Sequence, residues 1–329
     1  MKKILVTGSE GFIGSHLVEK LVLQNFNVKC LVLYNSFNNI GNLSYLNEKL
    51  IKNCEIVFGD VRDQEQMNKI LKGCDVLINL AALIGIPYSY RAVKSYIDIN
   101  VVGTYNLLQS SLNNDVEKII HTSTSEVYGT AQFVPITEEH PKIAQSPYAA
   151  SKISADSLVT SFHKSFGLNS LIIRPFNTFG PRQSNRAIIP TIITQFMTEN
   201  KLNLGNLKPK RDFTYVEDTV QAFINAVKLN KKYKGEILNL GTGKSSSVFD
   251  LSKNISKLLN KKLIIKRNKE RLRPNKSEVF NLVASNLKAK KFLNWSPKYT
   301  GKIGFENALR LTIDFFKDHK QSKNNKFIY

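Results

Sequence analysis

The sequence predicts an α/β protein: a Rossmann-type, doubly wound parallel sheet with a smaller, discontinuous C-terminal lobe. Short β-branched runs alternate with helical patterns through the first half of the chain, which indicates parallel strands joined by right-handed crossovers. A glycine-rich turn stands between the first strand and the first helix. The 329 residues, 42% of them apolar, suffice to bury the core of such a domain and of an added lobe.

The predicted strands of the main sheet have a helical pattern between each pair, and they cover 4–7, 28–33, 55–58, 76–79, 118–122 and 170–174. After Arg174-Pro175 the alternation is less regular, with helices predicted near 188–198 and 217–228 and a further strand at 236–240. We expect that strand to return to the main sheet. The resulting domains are 1–175 with 217–240 for the sheet, and 176–216 with 241–329 for the lobe.

No stretch of the sequence approaches the roughly 18–20 uninterrupted apolar residues that a bilayer-spanning helix needs. The apolar run near the N-terminus meets Gly8 almost at once and is too short for a signal peptide. We therefore expect a cytoplasmic protein without a membrane partner.

The cysteines and histidines do not form a metal-binding pattern. Neither group has the close spacing typical of zinc or redox sites. The residues are Cys30, Cys54, Cys74, His16, His121, His140, His163 and His319. We predict no metal site, and we interpret the cysteines as small buried hydrophobic residues in or beside strands.

The net charge of +21 would, taken alone, suggest a nucleic acid or a membrane surface as partner. Much of the lysine, however, falls on amphipathic helical patterns and in the polar segment 317–326. We interpret the charge as a solvated surface that also attracts anionic nucleotides, and we predict no specific nucleic-acid partner.

The glycine-rich turn predicts a dinucleotide site. Gly8 and Gly11 allow the backbone to turn sharply and approach a pyrophosphate, while Gly14 allows close contact between helix and strand. Phe12 and Ile13 open the helix, whose N-terminus stabilises the pyrophosphate, and we count them among the cofactor-binding residues.

The end of the second strand, where a ribose-binding acid is expected, holds Tyr34. No arginine stands in the turn to bind a 2′-phosphate, so NAD is predicted rather than NADP. Asp60 follows the third strand, and we expect its carboxylate to bind the adenine amino group. The alternative is that Asp60 only stabilises a turn or caps a helix. The remaining predicted cofactor-binding residues are Val61, Leu80, Ala81 and Ala82.

Tyr148 and Lys152 begin a predicted helix and share one of its faces, because they are four residues apart. An ammonium group beside a phenol favours the phenolate. We therefore expect Lys152 to lower the pKa of Tyr148 and make its hydroxyl a base near neutrality. Both residues are also counted with the cofactor site.

With these motifs in this order, the chain resembles the extended short-chain dehydrogenase/reductase family of nucleotide-sugar epimerases, dehydratases and decarboxylases. The resemblance covers nearly the whole chain and includes the glycine turn, Asp60-Val61, Tyr148 with Lys152, and the segments 174–182, 211–218 and 290–297. It implies that NAD occupies the sheet domain, that a nucleotide sugar occupies the lobe, and that the protein is a homodimer formed through two helices per subunit.

The tripeptide Thr124-Ser125-Glu126 resembles that of the 4,6-dehydratases within this family. The resemblance implies that Tyr148 takes the proton of the sugar 4-hydroxyl while a hydride passes from C4 to NAD. Glu126 then removes the C5 proton, water leaves from C6, and the hydride returns to C6. A serine hydroxyl is a poor acid, so Glu126 is expected to act as both base and acid while Thr124 and Ser125 bind the sugar.

The resemblance also implies the substrate and its contacts. Segments 34–38, 86–89 and 126–132 are most similar to dehydratases acting on nucleotide-linked N-acetylglucosamine, so we expect GDP- or UDP-N-acetylglucosamine and a 4-keto-6-deoxyhexose product. Asn177 matches a substrate-binding position, and Arg211 and Arg273 match positions that bind the diphosphate.

Three alternatives remain open at this stage. UDP-glucuronate decarboxylases share the Thr-Ser-Glu tripeptide, and nucleotide-sugar 4-epimerases share the rest of the pattern. A member without activity that senses NAD or nucleotide, or binds RNA, is the alternative outside the enzymes. Tyr148, Lys152 and Glu126 together argue against it, because a binding protein has no use for all three.

Overall fold

The computed structural model describes residues 2–199, 201–268, 274 and 277–319. Seven strands form one parallel sheet in the order β11-β6-β5-β4-β1-β2-β3. In chain order the strands are β1 (Lys3–Thr7), β2 (Asn27–Leu33), β3 (Cys54–Gly59), β4 (Val76–Asn79), β5 (Lys118–Thr122), β6 (Ser170–Pro175), β7 (Thr178–Phe179), β8 (Leu202–Leu204), β9 (Lys210–Arg211), β10 (Thr214–Tyr215), β11 (Ile237–Leu240), β12 (Ser246–Ser247), β13 (Ile265–Arg267) and β14 (Asn281–Leu282).

Helices cover both faces of the sheet. They are α1 (Phe12–Leu23), α2 (Glu48–Lys52), α3 (Gln64–Leu71), α4 (Ile86–Ser89), α5 (Val93–Tyr96), α6 (Gly103–Asn113), α7 (Pro147–Phe166), α8 (Ile188–Thr198), α9 (Val216–Lys228), α10 (Val248–Leu258), α11 (Leu287–Leu293) and α12 (Gly301–Asp318). A π-helix, Ile97–Val102, joins α5 to α6, and 3₁₀ turns cover Gly41–Tyr45 and Ser125–Tyr128.

The alternation of side chains along β1 shows why two helical layers form. Ile4 and Val6 pack with α1 and α9 in one apolar cluster, whereas Leu5 packs with α3, α6 and α7 in another. Successive strand residues point to opposite faces, so a strand that is apolar throughout needs cover on both sides. This arrangement confirms the predicted doubly wound fold.

The smaller lobe is built from short strand pairs and the later helices. β7 pairs with β10, β8 pairs with β13, and β9 lies between β12 and β14. Side chains of α8, α10 and α12 belong to the same apolar cluster as α1 and α9, so the lobe packs continuously on that face of the sheet. The domain boundaries given above remain a prediction.

The strands of the main sheet agree with the sequence prediction to within one residue at each end, and the strand predicted at 236–240 lies at the sheet edge beside β6. Cys30 and Cys74 are buried as expected, whereas Cys54 is half-buried at the start of β3. Among the helices described, none is long and apolar enough to cross a membrane.

The strand order changes direction between β1 and β4, which are neighbours in the sheet. From β1 the chain proceeds outward through β2 and β3, and from β4 it proceeds outward on the other side. The loops that leave the carboxyl ends of β1 and β4 therefore diverge and leave a crevice, where open α/β sheets bind their ligands. The glycine turn and the segment 80–82 lie at this crevice.

Candidate active site

The glycine turn is packed too tightly for side chains. A Cβ atom on Gly14 would lie 2.2 Å from the carbonyl oxygen of Gly8, and one on Gly8 would lie 2.9 Å from the backbone nitrogen of Ala81. Gly8 also has a φ of +64°, which L side chains rarely adopt. The turn therefore places bare backbone at the N-terminus of α1, as a pyrophosphate requires. Phe12 and Ile13 form the start of that helix, as predicted.

Thr7 connects the two strands that border the crevice. Its Oγ1 accepts hydrogen bonds from the backbone nitrogens of Leu80 (3.2 Å) and Ala81 (3.1 Å) and donates one to Oδ1 of Asn79 (2.7 Å). The segment that continues to Ala82 is thereby held against the glycine turn. Residues 80–82 therefore lie beside the glycine turn, and their contact with a cofactor stays a prediction.

Asp60 is engaged in an ion pair, whereas Tyr34 is largely exposed. Nε of Arg62 lies 3.0 Å from each carboxylate oxygen of Asp60, and this pairing is the main cause that lowers the pKa of Asp60. Asp60 therefore has the local turn contacts that were expected as the alternative to adenine binding. Val61 is buried, and Tyr34 is 70% exposed at the end of β2. The roles of these residues toward a cofactor remain predictions.

Tyr148 and Lys152 are buried on one face of α7, as their spacing predicted. The helix begins at Pro147, and the Ser146 side chain caps it by accepting a hydrogen bond from the backbone nitrogen of Ala149. The Lys152 ammonium donates to the carbonyl oxygen of Thr122 (2.7 Å), at the end of β5. Burial lowers the pKa of Lys152 to about 8.

The pKa of Tyr148 is raised, so the predicted lowering by Lys152 is wrong for this arrangement. Burial is the main cause, and the charge of Glu126 acts in the same direction, while a hydrogen bond with Thr124 opposes both. The Lys152 ammonium donates to the carbonyl oxygen of Thr122, and burial of the phenol sets the direction of the shift. The Tyr148 hydroxyl is therefore protonated at neutral pH in this structure.

Thr124, Ser125 and Glu126 lie where β5 ends and a 3₁₀ turn begins. Oγ1 of Thr124 accepts a hydrogen bond from the backbone nitrogen of Glu126 (3.2 Å) and also interacts with the Tyr148 hydroxyl. Glu126 is half-buried and Ser125 is buried. The structure thus brings a carboxylate, a threonine hydroxyl and a phenol together, although they come from segments more than 20 residues apart.

A buried charge network behind Lys152 was missed from the sequence. Asp156, one helical turn beyond Lys152, accepts hydrogen bonds from Ser123 Oγ (2.9 Å) and from Nε (3.1 Å) and Nη2 (2.9 Å) of Arg174. Nη1 of Arg174 donates to the Tyr128 hydroxyl (2.8 Å). The signal that could have found Asp156 is its four-residue spacing from Lys152, which repeats that of Tyr148 and Lys152.

Asn100, in the π-helix, was also missed. Its side chain accepts a hydrogen bond from the Leu83 nitrogen (2.9 Å) and donates to the Leu83 oxygen (3.0 Å) and to Ser151 Oγ (2.9 Å). It therefore fastens the segment after β4 to the helix that carries Tyr148 and Lys152. Nothing in the local sequence marks this residue, because its partners come from distant segments.

The predicted substrate-binding residues differ in their surroundings and in whether the structure describes them. Nδ2 of Asn177 is buried and has no hydrogen-bond partner among the described residues, so a donor is available there. Arg211 is nearly buried, donates to the Lys210 oxygen (3.1 Å), and lies 3.9 Å from a carboxylate oxygen of Glu278. Arg273 lies outside the described residues.

Within the described part of the chain, no group of three or more histidine, cysteine, aspartate or glutamate side chains is arranged to hold a metal ion. The polar groups that the described site brings together are the Tyr148 phenol, the Lys152 ammonium, the Glu126 carboxylate and the hydroxyls of Thr124 and Ser125.

The chain matches the protein-family model described as GDP-mannose 4,6 dehydratase over residues 5–308. The human dTDP-D-glucose 4,6-dehydratase is 29% identical over 336 residues, covering 98% of this chain and 92% of the human protein.

Solved structures of both dehydratases and epimerases resemble the fold over its whole length. The dTDP-glucose 4,6-dehydratase DesIV from Streptomyces venezuelae, solved with NAD, has a TM-score of 0.86 and 26% identity, covering 97% of this chain and 98% of its own. The UDP-N-acetylglucosamine 4-epimerase from Methanobrevibacter ruminantium, in complex with UDP-N-acetylmuramic acid, also has a TM-score of 0.86, with 31% identity and coverage of 97% and 99%.

Proposed function

Because the chain belongs to the GDP-mannose 4,6-dehydratase family of extended short-chain dehydrogenases/reductases, we propose that it is an NAD-dependent nucleotide-sugar 4,6-dehydratase. The observation that carries the proposal is the position of the Glu126 carboxylate in the 3₁₀ turn after β5, two residues from Thr124, whose hydroxyl interacts with the Tyr148 hydroxyl. A dehydratase needs a base for C5 as well as a proton acceptor for the 4-hydroxyl, and these two groups supply both.

NAD fits the crevice between β1 and β4. The glycine turn offers backbone that a pyrophosphate can approach, and the N-terminus of α1 has no side-chain cap, so its first backbone N–H groups can face that ligand. When bound, NAD would supply an acceptor for a hydride from the sugar, a donor for its return, and the positive charge of the nicotinamide ring. Residues 80–82, held by Thr7, border the space that it would occupy.

Tyr148 and its two neighbours handle the proton of the sugar 4-hydroxyl. Thr124 hydrogen-bonds the Tyr148 oxygen and favours its deprotonated form, in opposition to burial. Lys152, whose pKa is about 8, carries its positive charge at neutral pH and stabilises negative charge that develops on the phenol. With NAD bound, the deprotonated Oη of Tyr148 would take the proton of the substrate 4-hydroxyl as the hydride leaves C4, so that the C4–O bond becomes a ketone.

Glu126 performs the elimination. Once C4 carries a ketone, the C5 hydrogen is acidic, and the carboxylate removes that proton. The same group, now protonated, gives its proton to the departing 6-hydroxyl, so that one water leaves and a double bond forms between C5 and C6. The hydride would then bond to C6 while C5 takes up one proton, which balances the proton that Tyr148 took from the 4-hydroxyl. Thr124 and Ser125 hold the sugar by their hydroxyl groups.

The proposed substrate is GDP- or UDP-N-acetylglucosamine, from the similarity of segments 34–38, 86–89 and 126–132 noted above. Asn177 supports this class of ligand, because its buried Nδ2 group is available to a phosphate or sugar oxygen. Arg211 would bind the diphosphate after giving up its long contact with Glu278. Arg273 is assigned to the same role by its sequence position.

A 4-epimerase is the second candidate, because an epimerase acting on UDP-N-acetylglucosamine has the same fold and 31% identity. Epimerisation returns the hydride to C4 and needs no base for C5. The role of Glu126 therefore distinguishes the two reactions. UDP-glucuronate decarboxylation is tested by the same experiment.

The test is to incubate the purified protein and NAD with GDP- and UDP-N-acetylglucosamine, dTDP-glucose, GDP-mannose and UDP-glucuronate, and to follow each product by mass spectrometry. We expect one hexose substrate to lose one water. The variant Glu126→Gln should reduce that rate by about 100-fold or more, the size typical of a lost general base. Glu139→Gln makes the same chemical change at an exposed site and should leave the rate unchanged.

Two outcomes would overturn the dehydratase. Loss of carbon dioxide from the glucuronate would make the protein a decarboxylase. A product of unchanged mass but altered configuration at C4, still formed by Glu126→Gln, would make it an epimerase.

A further inference from the structure

The end of β2 lacks the acidic residue that holds the adenosine ribose in most NAD-binding sheets, since Tyr34 stands there. The fold brings a different carboxylate to this place. Oε1 of Glu10, a residue of the glycine turn, accepts a hydrogen bond from the backbone nitrogen of Leu33 (3.0 Å), the last residue of β2. The carboxyl group is therefore fixed at the strand end, although its own position in the sequence is 23 residues earlier.

The backbone around Glu10 is held against β2 from both sides. Ser9 Oγ donates to the carbonyl oxygen of Leu31 (2.9 Å). The backbone nitrogen of Asn42 donates to the backbone carbonyl oxygen of Glu10 (2.9 Å). Gly41, with φ +56°, passes so close that a Cβ there would lie 2.8 Å from the Glu10 oxygen. The position of the carboxylate is thus built into the fold.

The loop after β2 is also ordered so that Tyr34 does not occupy this position. Asn35 organises it: Oδ1 accepts hydrogen bonds from the nitrogens of Phe37 (3.2 Å) and Asn39 (2.9 Å), and Nδ2 donates to the oxygens of Leu33 and Asn39. The Tyr34 and Phe37 side chains are 70% and 88% exposed. They border the space beside Glu10 and leave it open.

The second carboxylate oxygen, Oε2 of Glu10, is buried and has no hydrogen-bond partner among the described residues. Burial raises the pKa of this carboxyl group, and the hydrogen bond from Leu33 opposes that rise. A buried acceptor without a donor is costly, so a ligand that donates to it gains binding energy. The carboxyl lies in a depression of about 350 Å³ that it shares with residues of the segment 32–41.

We propose that Glu10 takes the place of the missing strand-end acid: its carboxylate accepts hydrogen bonds from the 2′- and 3′-hydroxyls of the adenosine ribose and selects NAD over NADP. The inference rests on the proposed use of a nicotinamide dinucleotide. A hydroxyl on the ribose donates to Oε2, whereas a 2′-phosphate brings negative charge against a carboxylate and has no proton to offer it.

The other polar groups near this position are less suited to the role. Asp60 is engaged by Arg62 in a bidentate contact, and Tyr34 presents a neutral hydroxyl on a largely exposed side chain. A phenol does not repel a 2′-phosphate as a carboxylate does. Glu10 alone among these three has a carboxylate oxygen that is buried and has no hydrogen-bond partner in the described structure.

The experiment measures binding rather than turnover. Protein depleted of bound cofactor is titrated calorimetrically with NAD, with NADP and with NAD that lacks the adenosine 2′-hydroxyl. The wild type should bind NAD at least about 10-fold more tightly than either analogue, the size expected of a hydrogen bond to a charged group. Glu10→Gln keeps a side-chain oxygen that accepts the hydrogen bond from the Leu33 nitrogen but loses the negative charge. This variant should bind NAD about 10-fold more weakly than the wild type does, and it should bind the two analogues almost as the wild type does.

Two further variants complete the design. Glu48→Gln makes the same change on the exposed surface of α2 and should retain wild-type discrimination. Tyr34→Phe tests whether the phenol holds the ribose instead. The melting temperature of each variant is recorded without ligand, so that a folding defect is recognised.

The outcomes separate this inference from the proposed function. If the wild type binds neither NAD nor NADP, the proposed cofactor is wrong. Suppose the wild type binds NAD, but Glu10→Gln distinguishes NAD from the two analogues as well as the wild type does, or Tyr34→Phe alone removes that distinction. NAD then remains the proposed cofactor, and the role of Glu10 is overturned.

Discussion

At the scale of single residues, Asp156 balances the positive charges that the site buries. Its Oδ2 atom holds Ser123 and Arg174, while Oδ1 lies 3.8 Å from Nε2 of His121. Burial, together with the charges of Lys152 and Arg174, lowers the pKa of His121, so this imidazole is neutral. The Asp156 charge also raises the pKa of Lys152 against the larger effect of burial. Asp156 is therefore a positioning residue for the ammonium that assists Tyr148.

We expect Asp156→Asn to move the alkaline limb of the kcat/KM profile to lower pH. Activity that needs protonated Lys152 is present below its pKa of about 8 and is lost as the pH rises through that value. Loss of the Asp156 charge lowers the pKa of Lys152 further, so activity is lost at a lower pH than in the wild type. The pH profile of nucleotide-sugar turnover measures the shift.

Ser123→Ala is the matched control for this prediction, because it removes one hydrogen bond to Asp156 without changing its charge. Its alkaline limb should coincide with that of the wild type. Asp156→Asn also leaves Arg174 without its buried counter-charge, so circular dichroism must show that the assayed protein is folded. An unmoved limb in folded Asp156→Asn would contradict the charge-balancing role.

At the scale of elements, Asp212 joins the main sheet to the lobe. Oδ1 accepts hydrogen bonds from the nitrogen (2.8 Å) and hydroxyl (2.6 Å) of Thr242, just beyond β11. Oδ2 accepts from the nitrogens of Gly243 (2.9 Å) and Ala284 (3.1 Å), the latter just beyond β14. One fully buried carboxylate thus holds the ends of three strands together.

Asp212→Ala should lower the free energy of unfolding by at least about 3 kcal/mol, because several buried donors lose a charged acceptor at once. Chemical denaturation with urea measures the change. Asp314→Ala, at a side chain that is 63% exposed on α12, should stay within about 0.5 kcal/mol of the wild type. Equal stabilities of the two variants would show that the Asp212 contacts do not support the junction.

At the scale of the whole molecule, the homodimer remains a prediction, and the exposed surface supports it. Apolar side chains are exposed along the continuous helical segment from α5 to α6 and at the end of α7. They are Val93 (44%), Ile97 (48%), Val102 (40%), Tyr105 (39%) and Phe166 (59%). The Tyr105 ring contacts Phe162 of α7, so the two helices form one surface, which we call the α6–α7 face. An exposed apolar face of this kind is typical of a protein interface.

We expect the wild type to be a dimer by light scattering coupled to size-exclusion chromatography. The double variant Ile97→Asp/Tyr105→Asp should shift it to a monomer, because dimerisation would bury both charges. Ile303→Asp introduces a charge at a more exposed apolar site on α12 (77%), and this variant should remain a dimer. A monomeric wild type, or a double variant that stays dimeric, would exclude the α6–α7 face as the interface.

Much of the site could be predicted from local patterns because those patterns have local causes. Gly14 is required by a contact with Gly8, six residues away, and Tyr148 shares a helix face with Lys152 by spacing alone. The direction of the Tyr148 pKa shift could not be predicted in this way. It depends on burial, on the hydrogen bond with Thr124 and on the charge of Glu126, which are properties of the packed site.

The sequence by itself determined the doubly wound sheet, the glycine turn and the residue types available for catalysis, since strand periodicity, tight turns and helix spacing are properties of short segments. Only the tertiary structure decided which residues act together. It placed Glu10 at the end of β2 where Tyr34 stands in the sequence, and it set Asp156 against Arg174 behind Lys152. Such contacts join distant segments, and their energies depend on burial, which exists only once the sheet and both helical layers have packed.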